Sequence, residues 1–349
     1  MRLARPLTAL VLAFCLAAAN AQAQSPAAWL APGPRAITEL RLEWRDAARE
    51  RDLPVKLHLP QGDGPWPLVV FSHGLGGSRE GYAYLARHWA SHGLACLHLQ
   101  HLGSDDSLWR FTPNPVENLA RALTDINAAL DRPRDASFAL DEVIRHKTAG
   151  EPWARVIDPQ RAGAAGHSFG GSTVLALAGQ SFAQPGGGRL SLADPRFRAF
   201  IAISAALDRA RADPAPAFAP IRKPVLHITG AFDTSFFSRT APPDRRLPFA
   251  HAGGGDRYFL NLHAADHRVF AGPRADGTQA QDQAVQDLVA GLGLAFWRAY
   301  LLDDASARAW LLAKPAAEWL GEAGAWEARA ETNPPPGPGR GAGPGAAPP

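Results

Sequence analysis

Residues 161–179 read RAGAAGHSFGGSTVLALAG and contain a Gly-x-Ser-x-Gly pattern centred on Ser168. The small residues 162–165 fit a strand with close neighbours, and residues 172–178 fit a helix. A strand that turns abruptly into a helix with serine at its apex is a nucleophile elbow. Glycines on either side of the serine leave room for the strained turn, so the hydroxyl stands exposed at the sheet edge. The stretch therefore predicts Ser168 as a catalytic nucleophile.

Strand-like and helix-like segments alternate through most of the chain, which is typical of a parallel sheet covered by helices on both faces. Besides the elbow strand, the patterns predict strands at residues 39–44, 53–59, 68–72, 94–99, 197–204, 225–229 and 258–262. They predict helices at residues 78–91, 118–130, 279–302 and 305–312. The fold class predicted is α/β, with a mostly parallel central sheet of about eight strands.

A serine nucleophile needs a base and an anion that orients the base, and both should follow strand ends at the same sheet edge. Asp233 follows the predicted strand 225–229 and leaves one strand between acid and nucleophile. That gap is about 10 Å, which an imidazole on a crossing loop can bridge. Asp233 is therefore the predicted acid, and Asp208, after strand 197–204, stays as the alternative.

Three histidines that follow the acid are candidates for the base. His251 lies in a glycine-rich loop and His263 still belongs to a strand end, whereas His267 lies in the loop beyond, from which it can reach the elbow. His267 is the predicted base. Its neighbour Asp266 is a poor orienter, because adjacent side chains in extended backbone point to opposite sides.

Backbone N–H groups should form the oxyanion hole. The elbow supplies the N–H of Phe169 at a helix N-terminus, and the glycine-rich loop HGLGG at residues 73–77 supplies that of Leu75. His73 and His167 flank these motifs, and we interpret them as packing and orienting residues.

With these motifs in place, the chain resembles the α/β-hydrolase superfamily, in which the order serine, acid, histidine is characteristic. It is more narrowly similar to the dienelactone-hydrolase-like and platelet-activating-factor-acetylhydrolase-like branch, related to bacterial cutinase-type polyester hydrolases. The features that carry the resemblance are RDLPVKLHLP, WPLVVFSHGLGG, HLGSDD and GHSFGG, within residues 38–302. Leu102 departs from the proline that is frequent in the branch. A serine nucleophile, in place of the cysteine of true dienelactone hydrolases, implies ester chemistry.

Aromatic residues in loops above the predicted sheet edge could line a substrate pocket. Trp109, Phe232 and Phe236 are the predicted substrate-binding residues. The histidines and aspartates near residues 98–106 lack a complete ligand pattern, so we expect no metal and no cofactor.

Residues 1–23 are typical of a secretory signal, with Arg2 and Arg5, an apolar run, and the sequence Ala-Gln-Ala at residues 21–23. We expect a hydrolase domain at residues 24–332 and a disordered Pro/Gly/Ala-rich tail at residues 333–349. Arg2 and Arg5 account for two of the formal +3 charges, and no basic stripe indicates a nucleic-acid partner. The protein is predicted to be exported to the periplasm or medium without stable membrane insertion.

The predicted function is hydrolysis of carboxylic esters, small or polymeric, through an acyl-enzyme. Besides an acyl-amide hydrolase, which the sequence does not distinguish, two alternatives remain open. The first is a polyester or lipid hydrolase of the cutinase or platelet-activating-factor-acetylhydrolase type. The second is a non-catalytic binding protein on a hydrolase scaffold.

Overall fold

A nine-stranded sheet organises the computed structural model, which describes residues 26–207, 213–235, 238, 240–272 and 279–331. The strand order is β1-β2-β4-β3-β5-β8-β9-β10-β11, and a separate hairpin pairs β6 with β7. The strands are β1 Ile37–Asp46, β2 Arg51–Pro60, β3 Trp66–Ser72, β4 Ala95–Leu99, β5 Ile157–His167, β6 Ser181–Ala183, β7 Arg189–Ser191, β8 Phe197–Ile203, β9 Val225–Phe232, β10 Arg257–Asp266 and β11 Gly324–Arg329.

The helices in the described part of the chain cover both faces of this sheet. They are α1 Pro26–Leu30, α2 Ala83–Ser91, α3 Ser107–Arg110, α4 Pro115–Thr124, α5 Ile126–Thr148, α6 Pro152–Arg155, α7 Phe169–Ala178, α8 Pro214–Phe218, α9 Leu247–His251, α10 Gln279–Leu301, α11 Ala305–Leu312 and α12 Lys314–Leu320. Among these helices, none combines the length and the apolar character needed to cross a bilayer.

Strands β4, β3, β5, β8, β9 and β10 run parallel to one another, and β1, β2 and β11 are antiparallel additions at the two sides. The predicted α/β fold with a mostly parallel sheet is thus confirmed. The parallel order also separates β5 from β9 by the single strand β8, as the prediction for the acid required. The carboxyl ends of β5, β9 and β10 therefore lie along one edge.

Alternate residues of each central strand enter two different hydrophobic cores. Val69 and Phe71 of β3 pack towards α2 and α10, where Trp89 and Trp297 meet edge to face at 5.7 Å. Leu68 and Val70 face the other way, towards α5 and α7. Burial of both faces explains why these strands read as continuous apolar runs.

The structure differs from the sequence predictions at several elements. The helix predicted at residues 78–91 begins only at Ala83, because Tyr82 has a left-handed backbone conformation with φ 60°. The hairpin of β6 and β7 was not predicted. The ninth strand, β11, was not predicted, because its residues GAWEAR are partly exposed and show no clean alternation. The helix predicted at residues 118–130 is divided at Asp125, whose side chain accepts a hydrogen bond from the N–H of Asn127 and caps α5. Ile126, which would share the apolar face of a continuous helix with Leu119 and Leu123, is consequently exposed.

Candidate active site

The turn between β5 and α7 has the strained geometry of an elbow. Ser168 adopts φ 56° and ψ −115°, a backbone conformation that non-glycine residues rarely adopt. Its N–H donates to the carbonyl of Ile203 on β8. A Cβ on Gly170 would lie 1.9 Å from the carbonyl oxygen of Ser72. Only glycine fits there, so the second glycine of the motif lets α7 pack directly against the end of β3.

Three predicted site residues meet above the sheet edge. The hydroxyl of Ser168 donates to Nε2 of His267 at 2.9 Å, and Nδ1–H of His267 donates to Oδ1 of Asp233 at 2.7 Å. Asp233 follows β9 and is fully buried, whereas His267 follows β10 and keeps about 15% of its side chain exposed. The arrangement places a serine, an imidazole and a carboxylate in the order that general-base catalysis requires.

Several donors hold Asp233 as a carboxylate. Thr229 donates its hydroxyl to Oδ2 at 2.7 Å, Ser204 also donates to Oδ2, and Nε of Arg245 lies 3.0 Å from the same oxygen. Burial alone would raise the pKa of Asp233. The hydrogen bond from His267 and the charge of Arg245 outweigh burial and lower this pKa to about 2. The carboxylate therefore stays ionised and fixes the tautomer of His267.

The predicted oxyanion donors lie beside the serine on two separate elements. Phe169 is the first residue of α7, so its N–H has no partner in a preceding helical turn. The carbonyl of Gly74 accepts from Nδ1–H of His73 and from the N–H of Gly77, which fixes the peptide plane that it shares with the N–H of Leu75. Within the described residues, the N–H of Leu75 donates to no other group, and Leu75 lines the cleft.

His167 connects the elbow with the loop that carries His267. Its Nδ1 accepts from the hydroxyl of Tyr82, which itself accepts from the N–H of Gly74, and its Nε2–H donates to the carbonyl of His267. Burial, with the nearby imidazole of His267, lowers the pKa of His167 and keeps its ring neutral. These contacts agree with an orienting role for His167.

A cleft of about 630 Å³ opens over Ser168 and His267. Its lining in the described chain includes Leu75, Leu123, Phe169, Ala206, Thr234 and Ala271. Trp109 does not line the cleft; it is 45% exposed and donates from Nε1 to the carbonyl of Gly76. Phe232 is 68% exposed and does not line the cleft, and Phe236 lies outside the described residues. Substrate contact by these three aromatic residues stays a prediction.

The other candidates from the sequence are placed elsewhere. Asp208 lies outside the described residues. His263 is exposed and donates from Nδ1 to the carbonyl of Glu322, and His251 ends α9. His101 contacts Asp135 in the interior, and the described residues contain no group of ligands suited to a metal ion.

Three residues at the site were missed from the sequence: Arg245 beside Asp233, Tyr82 behind the elbow, and Arg132 under the oxyanion loop, which we define as residues 73–77. Tyr82 lies far along the chain from His167, Arg132 lies far from its acceptors, and Arg245 lies twelve residues beyond Asp233 in an irregular connection. A single arginine or tyrosine in a polar segment gives no local pattern, so no signal in the sequence could have found them.

Residues 48–118 match the model of a family described as platelet-activating factor acetylhydrolase, isoform II. The matched segment contains β2, β3, the oxyanion loop and β4, and it ends before the elbow. A search of the curated proteins finds no match. Together with the nine-stranded sheet, the family match confirms the resemblance to the α/β-hydrolase superfamily and to its platelet-activating-factor-acetylhydrolase branch.

Proposed function

We propose that this protein is an exported serine hydrolase that cleaves carboxylic esters through an acyl-enzyme. The observation that carries the proposal is the hydrogen-bonded series Ser168, His267 and Asp233 at the floor of an open cleft. The likeness of residues 48–118 to an acetylhydrolase family supports an esterase or lipase type of chemistry. Export rests on the signal-like pattern of residues 1–23 alone.

In the acylation step, Oγ of Ser168 attacks the ester carbonyl carbon while Nε2 of His267 takes the hydroxyl proton. The carbonyl oxygen becomes an oxyanion that accepts hydrogen bonds from the N–H groups of Leu75 and Phe169. When the tetrahedral intermediate collapses, the bond to the alkoxy group breaks and His267 returns the proton to the leaving alcohol. The acyl group of the substrate remains attached to Oγ of Ser168 as an ester.

Deacylation repeats these steps with water as the nucleophile. His267 takes a proton from water, hydroxide attacks the acyl carbon, and the proton returns to Oγ of Ser168 as the free acid leaves. Asp233 stays ionised throughout and stabilises the imidazolium that forms twice in each cycle.

The cleft favours an uncharged substrate. Among the described residues that line it, Arg268 is the only one with a permanent charge, and Leu75, Leu123 and Phe169 supply apolar surface. A carboxylate substrate would find one cationic side chain at most. A neutral ester can bury its acyl or alcohol group against the apolar residues of the cleft. We therefore propose neutral esters, small or lipid-like, as the substrate class.

The test combines activity with labelling. The full chain should hydrolyse p-nitrophenyl esters of graded chain length, and a fluorophosphonate should modify Ser168, as located by peptide mass mapping. Ser168→Ala should lower kcat by several orders of magnitude without lowering the Tm. A folded protein that neither hydrolyses these esters nor reacts with the fluorophosphonate would instead be a binding protein on this scaffold. Equal activity in the Ser168→Ala variant would exclude the proposed nucleophile.

A further inference from the structure

Arg132 lies in α5 with its side chain completely buried. Its donors reach neutral acceptors, and it forms no ion pair with a carboxylate in the described part of the chain. Burial lowers the pKa of its guanidinium to about 9, which still leaves the group charged at neutral pH. A buried cation without a directly paired anion is costly, and such groups are concentrated at functional sites.

One side of the guanidinium holds the oxyanion loop. Nη2 donates to the carbonyl of His73, and Nη1 donates to Oγ of Ser104 at 2.7 Å. The carbonyl of Ser104 in turn accepts from the N–H of Gly76 at 2.9 Å. The backbone is thus anchored on both sides of Leu75, the cleft residue whose N–H is a proposed oxyanion donor.

The other side of the same guanidinium holds the elbow helix α7. Nε donates to the hydroxyl of Thr173 at 3.2 Å, and the group lies over the ring of Phe169, 4.6 Å from the ring centroid. Phe169 supplies the second N–H of the oxyanion hole. Arg132 is therefore bound at once to both elements that carry an oxyanion donor.

A second series of three residues keeps the guanidinium in place. Nη2 of Arg132 also donates to Oγ of Ser72 at 3.2 Å, and that hydroxyl donates to Nε2 of His101 at 2.9 Å. Nδ1–H of His101 then donates to Oδ2 of Asp135 at 2.9 Å. We call Ser72, His101 and Asp135 the buried array. Among the charged groups around Arg132, the carboxylate of Asp135 stabilises its cation most.

We infer that Arg132 is a positioning residue for the oxyanion hole, and that the buried array holds its guanidinium in place. The inference rests on the proposed function, because an oxyanion hole acts only if Ser168 attacks a carbonyl. The N–H groups of Leu75 and Phe169 belong to different elements. To bind a developing oxyanion, each must stay within about 0.5 Å of its productive position. Arg132 contacts both of these elements through one rigid, planar group.

The experiment replaces Arg132 by Met and by Lys in the full chain. Loss of one oxyanion donor costs about 10²–10³ in kcat, so disorder of both donors in Arg132→Met should lower kcat about 10²-fold. KM should change less than about threefold, because the hole acts on the transition state rather than on the bound ester. Arg132→Lys keeps the charge but loses the planar fork, so it should recover part of this loss.

Fluorophosphonate labelling supplies a second readout, because its phosphoryl oxygen enters the same hole. Its rate should fall by a factor similar to that of kcat in each variant. Arg308→Met is the matched control: Arg308 pairs with Asp256 beside α11, away from the cleft, so the variant should lose stability and keep kcat. All rates are measured well below the Tm of each variant.

Two further variants keep the test valid if Arg132→Met does not fold. Ser104→Ala and Ser72→Ala each remove one acceptor of Arg132, and each should lower kcat about threefold to tenfold with KM unchanged. Wild-type kcat in folded Arg132 variants, or in both serine variants, would overturn the inference. A loss of kcat equal to that of Arg308→Met at the same loss of Tm would do the same. Failure of the proposed function is distinguishable, because the wild-type protein itself would then be inactive and unlabelled.

Discussion

The protein contains two Ser–His–Asp series with almost the same internal geometry. We call Ser168, His267 and Asp233 the cleft array. Its two hydrogen bonds measure 2.9 and 2.7 Å, and those of the buried array measure 2.9 and 2.9 Å. In both series the hydroxyl donates to Nε2 and Nδ1–H donates to the carboxylate. A distance search alone would not tell them apart.

Their surroundings are different. The serine of the buried array is an ordinary strand residue with 2% exposure, and its hydroxyl is occupied by Arg132. Ser168 instead occupies a strained turn at the floor of a cleft, beside two backbone donors. The comparison teaches that access, backbone strain and oxyanion donors distinguish a candidate nucleophile from a structural network with the same three side chains.

Replacing the two histidines should separate the arrays most widely. His267→Ala should lower kcat by at least about 10⁴-fold, because it removes the general base. It should lower the Tm less than His101→Ala does, because Asp233 loses one hydrogen bond but keeps those of Thr229, Ser204 and Arg245. His101→Ala should lower the Tm, because it leaves Ser72 and Asp135 without a partner in the interior. Ester hydrolysis and thermal unfolding on both variants check this. A large loss of kcat in His101→Ala, with activity retained in His267→Ala, would make the buried array the catalytic one.

The acid of the cleft array gives the next largest effect. Asp233→Asn should lower kcat about 10³-fold, because the amide no longer fixes the tautomer of His267 or stabilises its cation. KM for a short p-nitrophenyl ester should hardly change. A kcat within tenfold of the wild type would show that another carboxylate orients the base, and Asp208 would then be the first to replace.

The acid of the buried array should act on stability. Asp135 is fully buried and accepts from Arg49, Arg51 and His101, so Asp135→Asn removes a shared anion from these partners. We expect a loss of about 3 kcal/mol in the free energy of unfolding. Activity per folded molecule should fall less than tenfold. Urea unfolding combined with active-site titration separates the two quantities, and an unchanged midpoint would contradict the assignment.

Lowering the pH should reveal a smaller effect of the cleft array on stability. The pKa of Asp233 falls from about 3.8 in the unfolded chain to about 2 in the folded protein, since the hydrogen bond from His267 and the charge of Arg245 outweigh burial. Its stabilisation is therefore complete above about pH 4 and is lost as the pH falls towards 2.

This contribution is about 2 kcal/mol. Urea unfolding of the wild type and of Asp233→Asn between pH 5 and pH 2 measures it. The variant should lose less stability than the wild type over this range. If the free energy of unfolding fell equally with pH in the two proteins, Asp233 would have the same pKa in the folded and unfolded states.

The sequence could predict what depends on local spacing and on strand order. The elbow is a contiguous motif, and the continuous apolar runs mark the parallel strands whose ends carry Asp233 and His267. Rejection of His263 also depended on local position, since it lies within β10 and faces Glu322. The catalytic role of these residues stays a prediction.

Contacts between distant segments could not be predicted. Arg132 belongs to a helix that begins with the exposed Ile126, and a single arginine in such a helix usually faces solvent. Its partners lie on three other segments, so its burial follows only from the complete packing. Arg245 is hidden for a related reason: it lies twelve residues beyond Asp233 in the same connection between β9 and β10, and no spacing rule predicts how such an irregular connection folds back.

Strand β11 has a consequence for any shortened form of the chain. It pairs antiparallel with β10 from Arg257 to Leu262, on the side of β10 away from β9. Truncation before Gly324 would expose a row of unpaired amides and carbonyls on an apolar strand, a template for edge-to-edge aggregation. Because β10 also leads into the turn with His267, such a truncation would endanger solubility and the site together.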